Sequence, residues 1–319
     1  MSFNSMSTSR LVGLGVLLVL GTALISGVST FVNSYAVAGT NSAAFVTMRN
    51  LTVAALIAPV ALVVGQRSSV RLRSIDFGWL ALIGLIGGAI PFLLFFQGLE
   101  LATQAGGAAT ASFVYRTLFL MAAVFGVLFL KEKFSARVTV AAILLLAGNL
   151  LLLSIISPLW APGTTYVFAA TALWAAEYTV SKKLLARLPS TTVGFGRMGF
   201  GAAFLVGYLG LTSQYGAVTA LTGGQWVWVA ISAALLTAFV LTWYAGLKQV
   251  DLTVATSVLV LGFPVTWLLA VFVKGTPFTA DETAGAAAIL AGAILVVGWR
   301  AWNDLGTSLR DLLPRRVPA

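Results

Sequence analysis

The sequence predicts an all-α, polytopic membrane protein whose ten transmembrane helices form two inverted five-helix repeats. Three observations carry that fold class. Of the 319 residues, 59% are hydrophobic and only 9% are charged, with a mean hydropathy of +0.99, whereas soluble domains hold about 45–50% apolar and about 25% charged residues. The apolar residues gather into ten runs, approximately 11–35, 43–64, 78–99, 105–130, 138–156, 165–182, 191–211, 226–247, 252–273 and 282–299, most of them close to the roughly 20 residues a helix needs to cross the hydrocarbon core. The chain also repeats itself: Arg49 and Arg197 lie 148 residues apart inside such runs, and Gly98-Leu99 and Gly246-Leu247 share that offset.

Helices follow, rather than a barrel, because the runs are long and apolar on every side instead of alternating over about ten residues. The first run, after a short segment ending in Arg10, is longer than the apolar core of a cleaved leader. Its match in the sixth run, Ala23-Leu24 against Ala172-Leu173, argues that it is kept. The second copy begins after five spans, an odd number, so the copies cross the membrane in opposite senses. The boundaries are read as 1–157 for spans one to five and 158–319 for spans six to ten with a cytoplasmic tail. Past the fourth and ninth spans the offset falls to 144, as Leu146-Ala147-Gly148 against Leu290-Ala291-Gly292 shows.

Charge sets the orientation, because Lys and Arg in short loops stay on the cytoplasmic side. Arg10, Arg67, Arg71, Arg73, Lys131, Lys133, Arg137, Lys182, Lys183, Arg187, Lys248, Arg300, Arg310, Arg315 and Arg316 fall on one face, and the opposite loops hold only Lys274. Both termini are therefore placed in the cytoplasm, with the chain in the inner or plasma membrane. Topology thus accounts for the net charge of +10, which in a soluble chain would point to nucleic acid. The basic face also suits anionic lipid of the bilayer.

With no cysteine and no histidine, disulfides, thiolate nucleophiles, haem ligation and His-based metal sites are excluded, and no metal or cofactor is expected. A phosphate-binding glycine loop followed by Lys-Ser or Lys-Thr is absent, which argues against ATP hydrolysis. An enzyme within the membrane would need a nucleophile and base, or paired carboxylates, at that depth. Only one acid, Glu177, lies well inside a predicted span, so no catalytic residues are assigned. Glycines instead fill the spans, as at Gly84, Gly87-Gly88, Gly106-Gly107, Gly194, Gly196, Gly199 and Gly201, a pattern that lets helices approach closely in lipid.

Intramembrane charges carry the functional information, because each costs on the order of 2.5–3.5 kcal/mol even on the lenient insertion scale. Glu177 and Arg197 flank one short loop at similar depth. They form either a buried salt bridge tying spans six and seven or a carboxylate that exchanges a proton during turnover. Arg49 and Arg197 each lie about two turns from a span end, within reach of the interface. Arg116, about twelve residues into the fourth span, has no acid left at its depth; its planar fork suits a carboxylate or phosphate.

Aromatic residues supply walls for a site. Phe95-Phe96-Gln97 and Trp243-Tyr244 occupy equivalent places in the two copies, Trp174 and Tyr178 stand on the Glu177 helix, and Tyr115 adjoins Arg116. Tyr35, Phe92 and Trp267 complete the aromatic set, while Trp79, Trp160, Trp226 and Trp228 read as interface anchors. Asn33, Ser29, Thr30, Gln97, Thr110, Ser112, Thr117, Thr256, Ser257 and Thr266 offer hydrogen bonds. Pro91 in span three, with Gly262 and Pro264 in span nine, mark bends or hinges, because proline removes a helical hydrogen bond.

The segment Gly98-Leu99-Glu100-Leu101-Ala102-Thr103, a small-residue helix, Lys131-Glu132-Lys133-Phe134-Ser135 and a final helix with Ala147-Gly148 together resemble the EamA-type unit of the drug/metabolite transporter superfamily. Gly246-Leu247, Phe263-Pro264, Phe278-Thr279 and Ala291-Gly292 resemble the same unit again. Departures from its pattern are Ile25-Ser26-Gly27 and Asn33 in the first span, and Tyr115-Arg116 where the fourth span commonly carries proline; Lys182 keeps the second-copy lysine. The resemblance implies a ten-helix secondary transporter, an exporter or exchanger of small metabolites working by alternating access. Combined with the unmatched Arg116, it points to amino acids or other carboxylate-bearing solutes, with a proton as a further partner. A sugar-phosphate or nucleotide-sugar exchanger is the alternative within transport, and would place several cations at the midplane. A non-transporting membrane partner subunit is the alternative outside it.

Overall fold

The computed structural model describes residues 8–36, 40–68, 70–105, 108–133, 135–152, 160, 162–275 and 279–298. Gly106-Gly107, Phe134, Phe278 and the tail beyond residue 298, all named above, lie outside the described residues. The first repeat comprises α1 (Thr8–Ala36), α2 (Ser42–Arg67), α3 (Ser74–Ile83), a π-helical segment (Gly84–Ala89), α4 (Ile90–Gln104), α5 (Ala108–Arg116), α6 (Leu118–Leu130) and α7 (Ala136–Leu152). The second comprises α8 (Thr164–Leu185), α9 (Ser190–Leu211), the short α10 (Tyr215–Thr219), α11 (Gly223–Leu247), α12 (Leu252–Leu259), α13 (Gly262–Lys274) and α14 (Ala280–Val297). Counting interrupted helices as one, these elements carry the ten expected spans. Eight are long and apolar enough to cross a membrane; α7 is shorter at 17 residues, and α8 has 22 but carries Glu177, Lys182 and Lys183.

Packing obeys the two-fold relation that the repeat implies. Span one (α1) packs on span eight (α11) as span six (α8) packs on span three (α4), and α1 meets α12 and α13 as α8 meets α5 and α6. Spans two and seven (α2 and α9) pair with each other, as do spans five and ten (α7 and α14). Small residues permit the close crossings: a Cβ on Gly148 would collide with the Gly285 carbonyl and Ile289, and one on Gly285 with the Gly148 carbonyl and Leu152. Polar side chains add specific ties, such as the 2.8 Å bond from Thr22 to Thr242 between α1 and α11.

Three spans are interrupted near their middles. The fourth turns at Thr117, whose backbone N–H bonds to the Phe113 and Val114 carbonyls and whose hydroxyl donates to the Val114 carbonyl at 2.7 Å; such back-bonding competes with the helical ladder. The ninth tightens into i→i+3 bonds, from the Val260 N–H to the Ser257 carbonyl and from Leu261 to Val258, before α13 begins. Pro264 therefore sits in the first turn of α13, where its missing N–H costs no intrahelical bond. The third span loosens into a π-turn one residue before α4 and two before Pro91. Pro59, not singled out by the sequence, lies inside a continuous α2.

At the end of the bundle where α1 starts, lysines satisfy the last carbonyls of neighbouring helices, as cations at C-termini do. Lys182 Nζ donates to the Leu247 and Val250 carbonyls at 2.7 and 2.6 Å, and Lys248 to Leu188 at 3.0 Å. Glu132, from the loop between α6 and α7, accepts from the N–H of Leu252 at 2.5 Å, and from the N–H and hydroxyl of Thr253 at 3.0 and 2.6 Å. This carboxylate thereby caps the N-terminus of α12.

Candidate functional site

Between the two repeats lies a cavity of about 350 Å³. Ser26, Ser29, Thr30 and Asn33 reach it from the second half of α1, and Phe95, Phe96 and Leu99 from the second half of the third span, so it extends from the bundle centre toward the end where α1 stops. Its floor is charged. Arg49, Arg116 and Arg197 all line it, and no aspartate or glutamate does so among the described residues.

Arg197 and Asn50, the neighbour of Arg49, both reach the π-segment, whose carbonyls depart from the normal helical ladder. Arg197 Nη2 donates to the Gly87 carbonyl at 3.2 Å, which also receives Trp174 Nε1 at 3.1 Å, and Asn50 Nδ2 donates to the Gly88 carbonyl at 2.9 Å. Glycine is needed here, because a Cβ on Gly87 would overlap the Glu177 side chain and one on Gly88 the Arg197 carbonyl. Arg49 is held by the Asn50 Oδ1, which accepts from its Nε and Nη2 at 3.2 Å each, and by the Phe92 ring 4.6 Å away. Arg116, displaced along the fourth span, lies over the Phe263 ring of the other repeat at 3.1 Å, and its buried Nε has no hydrogen-bond partner among the described residues. Phe263 is the counterpart of Tyr115 at an offset of 148, so the two interrupted helices meet at related positions.

Glu177 is wholly buried behind this floor. Its Oε1 accepts from Ser181 at 2.5 Å and from Tyr244 at 2.7 Å; its Oε2 faces Arg197 Nε at 3.8 Å without a hydrogen bond. Arg197 also passes 5.6 Å from the Tyr178 ring. Above the floor, Trp174 makes edge or tilted contacts with Phe92, Phe95 and Tyr115 at 5.3, 5.6 and 5.4 Å. Phe95 and Tyr115 close that cluster at 5.1 Å.

Of the residues expected from sequence, the cavity therefore brings together Arg116, Tyr115, Phe95, Trp174, Tyr178, Asn33, Arg49, Arg197 and Gly262. Asn33 is partly engaged, its Oδ1 accepting from Ser232 at 2.8 Å. Trp243 and Tyr244 stand one layer back: Trp243 packs 4.6 Å from Tyr178, and Tyr244 serves Glu177. Gln97 is exposed on the far side of α4 and does not line the cavity. Pro91 and Pro264 are buried beside the interruptions. Sequence reasoning passed over Phe263 and Ser181, although the repeat offset from Tyr115 and the one-turn spacing from Glu177 mark them. The Gly87 and Gly88 carbonyls carried no such mark.

An all-helical bundle of two inverted repeats, holding between them a largely apolar cavity lined by three arginines, is an architecture that membrane transporters use. The model of the EamA-like transporter family matches residues 13–154 and again 161–298, and the chain belongs to that family. It is an integral membrane protein, and family members move small solutes across the bilayer rather than acting as enzymes. One solved crystal structure, 22% identical, superposes with a TM-score of 0.68 over 92% of this chain and 98% of that one; at this identity the likeness shows the fold alone. A comparison with curated proteins finds no match.

Proposed function

We propose that the protein is an alternating-access transporter, exporting small organic solutes that bear a carboxylate or equivalent anionic group. Amino acids are the first class to test, on the family resemblance. The observation that carries this reading is Arg116: a guanidinium lining a cavity shared by both repeats, with a buried nitrogen that no group among the described residues satisfies. A solute carboxylate would satisfy it and add a charge-assisted, bidentate contact. The aromatic cluster of Phe95, Tyr115 and Trp174 would cover the carbon skeleton. With both termini in the cytoplasm of an inner or plasma membrane, the cavity extends toward the outer face, and the Lys182, Lys248 and Glu132 contacts would close the cytoplasmic one. Release of the Glu177–Arg197 pair on protonation would couple a proton to that exchange.

Efflux from proteoliposomes loaded with amino acids and simple carboxylates tests the proposal, comparing native protein with Arg116→Ala in the presence and absence of a pH gradient. Efflux by the native protein that falls at least about tenfold in the variant supports an anion site at Arg116. Equal efflux from both would make Arg116 structural, and no efflux of any anion would overturn the proposal.

A further inference from the structure

The charge count of the cavity reaches beyond a single anion contact. Arg49, Arg116 and Arg197 line it together, and one carboxylate, Glu177, faces them, 3.8 Å from Arg197. Three guanidinium charges against one carboxylate leave two positive charges over. Among the described residues neither is answered by a charged group: Arg49 has the neutral Asn50 amide and the Phe92 ring, and Arg116 has the Phe263 ring. Rings and amides ease desolvation of a guanidinium but do not cancel its charge.

Resting on the reading of this cavity as a transport site, we propose that its preferred solutes are dianions, small molecules carrying two carboxylates or one phosphomonoester. A dianion brings the enclosed charge to neutrality, a monocarboxylate leaves one charge over, and a zwitterion leaves both. The zwitterion also adds an ammonium for which the lining provides no acid among the described residues. Uncompensated charge in a site of low dielectric is what binding must remove, and two guanidinium forks lining one cavity suit two anionic groups or the several oxygens of one phosphate. The cavity volume of about 350 Å³ lies at the small end of ligand sites, so the skeleton between the anionic groups is short.

The test is uptake by the full chain in proteoliposomes at neutral pH, with succinate, glycerol 3-phosphate, lactate and leucine as labelled probes, paired with probe-induced thermal shift of the detergent-solubilised protein. The expected result is that succinate, glycerol 3-phosphate or both have an apparent affinity at least about tenfold above lactate and leucine. The better of the two dianions then assigns the chemistry. Arg49→Gln and Arg116→Gln should each lower the dianion-to-lactate affinity ratio toward one, while Gln97→Ala, outside the cavity, should leave uptake unchanged. Thermal shifts repeat the ranking without requiring turnover, which separates lost binding from lost folding. Lactate or leucine handled as well as both dianions would overturn the dianion preference and leave anion transport standing. Uptake and thermal shift with none of the four probes would overturn both readings.

Discussion

Arg49 and Arg197 hold equivalent places in the two repeats, yet their surroundings differ. The second repeat gives Arg197 a carboxylate and a ring, through Glu177 and Tyr178, and the π-segment of the first repeat adds the Gly87 carbonyl. Among the described residues, the first gives Arg49 only Asn50 and Phe92; at the offset of 149 that relates spans one and six, Val28 stands where the second repeat has Glu177. Duplication supplied two cations, and divergence neutralised one of them. The neutralised member anchors α8, α9 and the π-segment to one another, while the other is left with its charge facing the cavity.

The largest break in this asymmetry is Glu177→Gln, which leaves Arg197 buried and unpaired. We expect a loss of about 3–5 kcal/mol of stability, read as a fall in apparent melting temperature in detergent. Adding Arg197→Met should recover much of it, because removing both charges removes the desolvation penalty; a double variant no better than Glu177→Gln would show that the pair is not the stabilising unit.

Asn50→Asp would build into the first repeat the counterion that the second already has. Its carboxylate lies where the Asn50 Oδ1 now accepts two bonds from Arg49, so an ion pair forms, at the loss of the Asn50 donation to Gly88, worth about 1 kcal/mol. Apparent affinity for anionic solutes is expected to fall at least about tenfold in uptake assays, with little change in melting temperature. Unaltered affinity would place Arg49 outside the solute's reach.

Phe263→Leu removes the ring beneath Arg116 while keeping an apolar wall. A cation–π contact contributes about 0.5–2 kcal/mol, so solute affinity should weaken roughly two- to thirtyfold through a less constrained guanidinium, measured by competition. The smallest effect is expected of Trp174→Phe. It deletes the donation to the Gly87 carbonyl, which Arg197 still satisfies, and should lower stability by about 1 kcal/mol while leaving the Phe95–Tyr115 contact in place.

These contrasts also mark what could be read from the chain alone. Ten apolar runs and a 148-residue offset are local facts, and the bilayer makes them decisive: without water to satisfy the backbone, a long apolar run must be a helix. The all-α class, the two repeats and their inverted sense therefore lay in the sequence itself, as did the presence of charges worth explaining at Arg49, Arg116, Glu177 and Arg197. Depth along a helix was also legible, but depth alone set Arg49 and Arg197 about two turns from opposite membrane faces and left Arg116 as the one midplane cation. Only the tertiary structure put all three around one cavity. It did so because the π-segment at Gly84–Ala89 offers carbonyls to both sides of the pseudo-two-fold relation, and because Thr117 and the Val260–Leu261 turn interrupt two helices where they cross. Such contacts join residues more than a hundred positions apart, and no periodicity within either segment records which side chain the fold will bring opposite it.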